Sequence, residues 1–311
     1  MHSLRKTAAR FGDMLLESDP LDLVIRATLL LLVGMPSILG VEWQYQLIIR
    51  GLAVIGILAP AAGRSAAFWW AMATIFFVKS VDHWWIQDNH VFLLNWWCLT
   101  LAIALSTADP RRIIAANARL LIGLSFIFAV LWKGFLSPDY MRGDYFHFTF
   151  LTDSRVSGIG TLLCGMDPLQ YRHNYDAMGL LASYKAEVQS VQLEGTPMLR
   201  MLAVVVTWWT VLIEGTLALL FLLPSKFRVS RGRNAALLLF AWTTYLAMPI
   251  VTFGWTLITL GLAQCDDGAR RTRLCYILTY PLLLAYLLAP IWPMLNRAAS
   301  ALLAGSLLGT H

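Results

Sequence analysis

Between Lys79 and His90 the chain reads KSVDHWWIQDNH, gathering an ammonium (Lys79), two carboxylates (Asp82, Asp88) and two imidazoles (His83, His90) in one short stretch. Imidazole titrates near neutral pH, so His83 and His90 can accept and return protons, and a neighbouring carboxylate can fix the tautomer. The same residues also suit a solvated polar loop with Trp84 and Trp85 as interfacial anchors. Asn89, beside His90, is a candidate supporting amide. His83, Asp88 and His90 are metal-ligand types, but their spacing matches no ligand pattern and no metal is expected.

A second group centres on Lys133, which closes the apolar run 113–133. A lysine so placed either snorkels its ammonium to an interface or, where burial disfavours the charge, becomes an amine able to act as a general base. Ser137-Pro138-Asp139-Tyr140 follows as a turn or the start of an interfacial helix, with Asp139 a candidate supporting carboxylate and Gly143 suited to a turn or close approach. A third candidate is Glu214, midway along an apolar run. A carboxylate there marks either a functional group or a structural partner for Lys133 or an arginine.

The elements that must hold these groups are apolar helices. Of 311 residues, 58% are hydrophobic and 14% charged, against about 25% charged in ordinary soluble proteins. That leaves too little charge to cover a soluble surface, and the expected fold class is an all-α, polytopic transmembrane helical bundle. Apolar runs predict spans at 23–40, 47–62, 65–80, 91–107, 113–133, 198–223, 234–248, 250–264 and 274–294. Residues 234–264 read either as two short passes or as one long tilted helix.

Loop arginines arbitrate, because short cytoplasmic loops collect Arg and Lys. With a basic N-terminus inside, Arg64, Arg111, Arg112, Lys226, Arg228, Arg231 and Arg233 all fall inside. Arg270, Arg271 and Arg273 join them only if 234–264 crosses twice, giving nine spans with the C-terminus outside. The net charge of +6 is thereby assigned to orientation in a lipid bilayer, and no nucleic-acid partner is expected. Residues 1–22 have no compact apolar core or small-residue cleavage site, and predict an amphipathic cytoplasmic segment rather than a signal peptide. Residues 23–311 read as one bundle, with a long extracytoplasmic connection at about 134–197. The spacing of Cys98, Cys164, Cys265 and Cys275 suits neither a metal nor a disulfide framework.

Two motifs carry a family resemblance. Asn89-His90 opens an apolar span beginning Val91-Phe92-Leu93-Leu94, and Phe128-Ala129-Val130-Leu131-Trp132-Lys133 precedes Asp139-Tyr140-Met141-Arg142-Gly143. In these the chain resembles the HTTM domain, the transmembrane part shared by vitamin K-dependent gamma-glutamyl carboxylases and their bacterial relatives. The resemblance implies an outward-facing site in a bacterial inner membrane, with a quinol of the vitamin K or menaquinone type as cofactor. It implies Lys133 as the base acting on the quinol and His90 as the proton-handling group. Lys133 is single where the family has a pair, and Thr243-Thr244 stands where the family has a histidine. The 311 residues also hold no counterpart of the carboxylases' large extracytoplasmic domain.

The resulting expectation is a carboxylase-like or quinol-dependent membrane enzyme acting on a small peptide, a lipid or a quinone. The alternative is a non-catalytic membrane subunit or maturation factor that holds a membrane or extracytoplasmic partner protein through its outer connection. A transporter is a third reading, with Glu214 as its buried charge.

Overall fold

Proline opens six of the helices, at positions 20, 60, 110, 138, 168 and 197, where its fixed φ suits a first turn and its missing N–H costs nothing. The computed structural model describes residues 19–35, 43–153, 156–182, 191–247, 250–266 and 268–288. Among these the structure is all helical, with no strand.

The elements in chain order are α1 (Pro20–Gly34), α2 (Trp43–Leu58), α3 (Pro60–Gly63), α4 (Ala66–Asp82), a 3₁₀ turn (Trp84–Ile86), α5 (Asn89–Leu105) and α6 (Pro110–Leu131). A π-helical turn (Trp132–Leu136) then continues α6. Four short helices follow: α7 (Pro138–Met141), α8 (Asp144–Thr152), α9 (Ser157–Cys164) and α10 (Pro168–Ala182). The chain ends in α11 (Pro197–Leu222), a 3₁₀ turn (Arg228–Gly232), α12 (Arg233–Ala247), α13 (Val251–Ala263) and α14 (Arg270–Leu288).

Two helices are long and apolar enough to cross a membrane: Pro110–Leu136, with 27 residues and mean hydropathy 2.1, and Pro197–Leu222, with 26 residues and mean hydropathy 1.8. At 1.5 Å per residue each reaches about 40 Å, beyond the roughly 30 Å of hydrocarbon. Trp43–Leu58, Asn89–Leu105 and Val251–Ala263 are shorter apolar helices. Large apolar side chains stand exposed along α2 (Leu47, Ile48, Val54, Ile55, Leu58) and α11 (Val205, Trp208, Trp209, Leu212, Leu219).

The described residues form two compact units. One takes those of 1–126, 217–242 and 250–284; the other takes those of 127–216, 243–247 and 285–288. In the first, α1 packs against α2 and α13, and α4 against α5. Buried tryptophans tie it together through their one polar atom. The Trp97 indole donates to Thr28 Oγ1 at 2.9 Å, Trp255 donates to the Ala27 carbonyl at 2.9 Å, and Trp69 donates to the Gly63 carbonyl at 2.7 Å. These three are core, whereas Trp84 and Trp85 stand exposed.

Within this unit Arg64 pairs with Asp22 at 2.6 Å, and Arg111 pairs with Asp19 at 2.6 Å. The start of α1, the α3–α4 link and the start of α6 thus share one end. Gln264, just past α13, bonds the side chain of Asn234 in the first turn of α12, and the Tyr276 hydroxyl of α14 donates to the same oxygen at 3.0 Å. The end of α13 and the first turn of α12 are therefore together, so the chain doubles back. This removes the single-helix reading of 234–264.

Some boundaries also move. Asp22 belongs to α1 rather than to a separate N-terminal segment, and residues 1–18 lie outside the described residues. α14 begins at Arg270, so the arginine trio is helical. The connection after Lys133 stays helical through Leu136.

The second unit has its own core, in which Tyr140, Phe146 and Phe150 pack with Leu151, Leu199 and Ala203. The return of the chain is fixed by Asn174, whose amide donates to the Glu194 carbonyl at 2.7 Å while its side-chain oxygen accepts from Glu194 N–H at 2.8 Å.

Candidate functional site

On α11 the residues Leu199, Ala203, Thr207, Glu214, Leu217 and Phe221 are all buried. Steps of three, four and seven put them on one stripe, so Glu214 occupies a core position on an otherwise apolar or weakly polar face. Its partner comes from the π turn that ends the 27-residue apolar stretch. Lys133 Nζ donates to both Glu214 oxygens at 2.5 Å, with the lysine side chain 16% and the carboxylate 9% exposed. The ammonium therefore does not snorkel outward.

Tyr140, one short helix further on, completes the group. Its ring centroid lies 4.9 Å from Lys133 Nζ, and its phenol is in hydrogen-bonding reach of Thr210. Burial first, and then the nearby Glu214 carboxylate, hold the Tyr140 phenol above its ordinary range, so it is a neutral donor. A cation, a carboxylate and a phenol thus share one nearly dry site. Burying an ion pair in this way costs more desolvation than packing apolar groups of the same size, so it is weak evidence of stability and better evidence of a task. Chemically, the pair sets an amine and a carboxylate side by side where a third group could meet both. Tyr140 was not singled out from the sequence as part of this site; no local pattern distinguishes a functional tyrosine in a turn from a packed one.

The other candidates fall elsewhere. Asp139 is 70% exposed and is taken up by Arg142, not by Lys133. His83, His90, Asp88 and Asn89 belong to the first unit, whereas Lys133, Glu214 and Tyr140 belong to the second. His90 Nε2 lies 3.6 Å from Asp88, which is itself well exposed, and Asn89 is exposed.

His83 is the more enclosed histidine, 14% exposed, with Nε2 3.4 Å from Asp82 and its ring edge-on to Tyr45 and Trp85. Tyr45 donates to the same Asp82 carboxylate at 3.0 Å. Beside it Lys79, only 2% exposed, reaches the Gln87 oxygen at 3.4 Å. Sequence reading placed Lys79 in this cluster without seeing its burial. The signal was present, since Trp69, Met72, Phe76 and Lys79 form one buried stripe on α4.

All four cysteines are free thiols. Compared with known protein families, curated proteins and solved structures, the chain matches none.

Proposed function

We propose that this chain is a multi-pass membrane protein of nine spans, N-terminus inside and C-terminus outside, in a bacterial inner membrane. Lys133, Glu214 and Tyr140 form its acid–base centre, and the substrate is a quinol-type phenol. The observation that carries the reading is the enclosed Lys133–Glu214 pair, held by two helices long enough to span a bilayer. The exposed apolar faces of α2 and α11 favour lipid contact over water. The quinol and a carboxylase-like reaction come from the resemblance to the HTTM family at Asn89-His90 and Lys133. A phenolic hydroxyl entering beside Lys133 would meet a proton acceptor with a compensating carboxylate already in place. Asp139 has no part in this reading.

A second reading is favoured by the same pair. Both ions are satisfied within the protein, as a structural clamp requires, and the chain would then be a non-catalytic subunit presenting its outer connection to a partner protein.

The deciding experiment is a binding titration of the purified protein in detergent with a menaquinone or vitamin K analogue, wild type beside Lys133→Ala. Saturable binding that weakens in the variant is expected. Equal binding, or none in either protein, would overturn the catalytic reading in favour of the subunit.

A further inference from the structure

The first unit contains a cavity of about 420 Å³ whose wall combines Arg111, Arg112 and Arg119 with Val24, Ile114 and Leu262. Its volume is in the range of small-ligand pockets. The helix ends around it are the start of α1, the start of α6 and the end of α13, which the proposed topology places on the cytoplasmic side.

The guanidinium groups here are under-served. Arg119 and Arg233 both donate to one hydroxyl, Ser225 Oγ, at 2.9 and 3.0 Å. Two cations converging on one neutral oxygen repel each other, and each keeps a buried N–H group without an acceptor: Nε of Arg119 and Nη1 of Arg233. Buried donors of this kind are costly unless something accepts from them. Arg112 is exposed and has no ion-pair partner among the described residues. Among the described residues the nearby carboxylates are Asp19, which takes Arg111, Asp109, whose Oδ1 accepts from the Arg112 backbone N–H at 3.3 Å, and Asp266 in the cavity wall. The wall itself sets three guanidinium groups, of Arg111, Arg112 and Arg119, against the one carboxylate of Asp266.

We infer that this cavity binds the phosphate headgroup of an anionic phospholipid from the inner leaflet, with Arg112 and Arg119 on the phosphate oxygens and the acyl chains along Val24, Ile114 and Leu262. A planar guanidinium suits phosphate oxygens, and the apolar wall beside it suits lipid rather than a free ion. The site rests on the membrane reading alone and not on the chemistry at Lys133.

The test uses the full chain in detergent, titrated with phosphatidylglycerol, phosphatidylcholine and soluble glycerol phosphate, with binding counted by native mass spectrometry. Wild type is expected to retain phosphatidylglycerol in preference to phosphatidylcholine and to bind glycerol phosphate more weakly than phosphatidylglycerol. Arg119→Gln is expected to weaken phosphatidylglycerol binding by about fivefold or more. Arg112→Gln, at an exposed side chain whose loss leaves the fold intact, serves as the second variant and is expected to act in the same direction. Arg228→Gln, in the basic loop but outside the cavity wall, should leave binding unchanged. Equal retention of the two lipids, or an equal loss in Arg228→Gln, would overturn the site. Tight binding of glycerol phosphate would overturn its assignment to lipid. Quinone binding at Lys133 is read separately, so either proposal can fail alone.

Discussion

Lys133 and Glu214 each depend on the other for a counter-charge, and that dependence is measurable apart from any activity. Removing one strands the other in a site with little water, a loss of about 3–5 kcal/mol, whereas replacing both with apolar groups of similar volume is close to neutral. Lys133→Met is therefore expected to lower the thermal unfolding temperature in detergent sharply, and Lys133→Met with Glu214→Leu to restore most of it. Additive losses would show that the two groups do not act as a pair. Near the surface, Asp144 tests electrostatics at the opposite extreme. Arg200 at 2.7 Å and Arg142 at 3.0 Å hold its carboxyl below the ordinary 3.8. The charged form is the one the fold favours, so this contribution is complete above 3.8 and fades as pH falls below it. Hydrogen exchange in α8 should then rise at acid pH in the wild type, and Asp144→Asn should show the raised exchange at neutral pH as well. Much of the site was legible at this scale. A carboxylate inside an apolar run and a lysine at the end of another were visible in the sequence, and pairing with Lys133 was one of the roles foreseen for Glu214. Tyr140 was not, because its place depends on α7 folding back beneath the lysine, and Asp139 lies against Arg142, three residues on.

At the scale of elements, glycine decides two junctions. Gly261 on α13 faces α12 and α14 so closely that a Cβ would lie 2.6 Å from the Tyr276 ring and 2.9 Å from Leu237. Gly261→Leu is expected to push α13 out of the hairpin and cost about 1–3 kcal/mol or more in stability, as overpacking does. A thermal melt unchanged from wild type would mean the helices are not this close. Gly143 caps α8 with φ at +82°, and a Cβ there would meet the Val204 backbone at 3.2 Å. Its turn role was readable from the sequence, since only glycine adopts that conformation readily. Helix positions were readable because apolar runs bounded by proline and arginine leave few alternatives. The break in the run 234–264 was reached only through the arginines that follow it, because an apolar stretch looks the same whether it continues or doubles back. The Asn234 contacts with Gln264 and Tyr276 resolve it, and they are long-range polar pairs with no local pattern.

For the whole molecule, orientation follows from alternation. Arg64, Arg111 and the start of α1 are joined by ion pairs, and the start of α12 meets the end of α13, so these helix ends are where cytoplasmic loops would converge. Within the same unit Tyr45, at the start of α2, and Asp82, at the end of α4, are joined at the opposite ends of those helices. The sequence groups the loops holding Arg64, Arg111 and Arg228 on one side because each loop carries an uneven share of arginine. It could not assign the short helices α7 to α10, whose apolar pieces are too brief to span and are settled by packing around Phe146 and Phe150. The arrangement is tested by placing single cysteines in a background without the native four, one at Gln192 and one at Ala269. A membrane-impermeant thiol reagent applied to intact cells should label Gln192→Cys at once and Ala269→Cys only after permeabilisation. Labelling of Ala269→Cys from outside would mean that 234–264 does not return the chain across the bilayer. The arginines after it would then face outward, and the lipid cavity would lose the inner-leaflet position on which it depends.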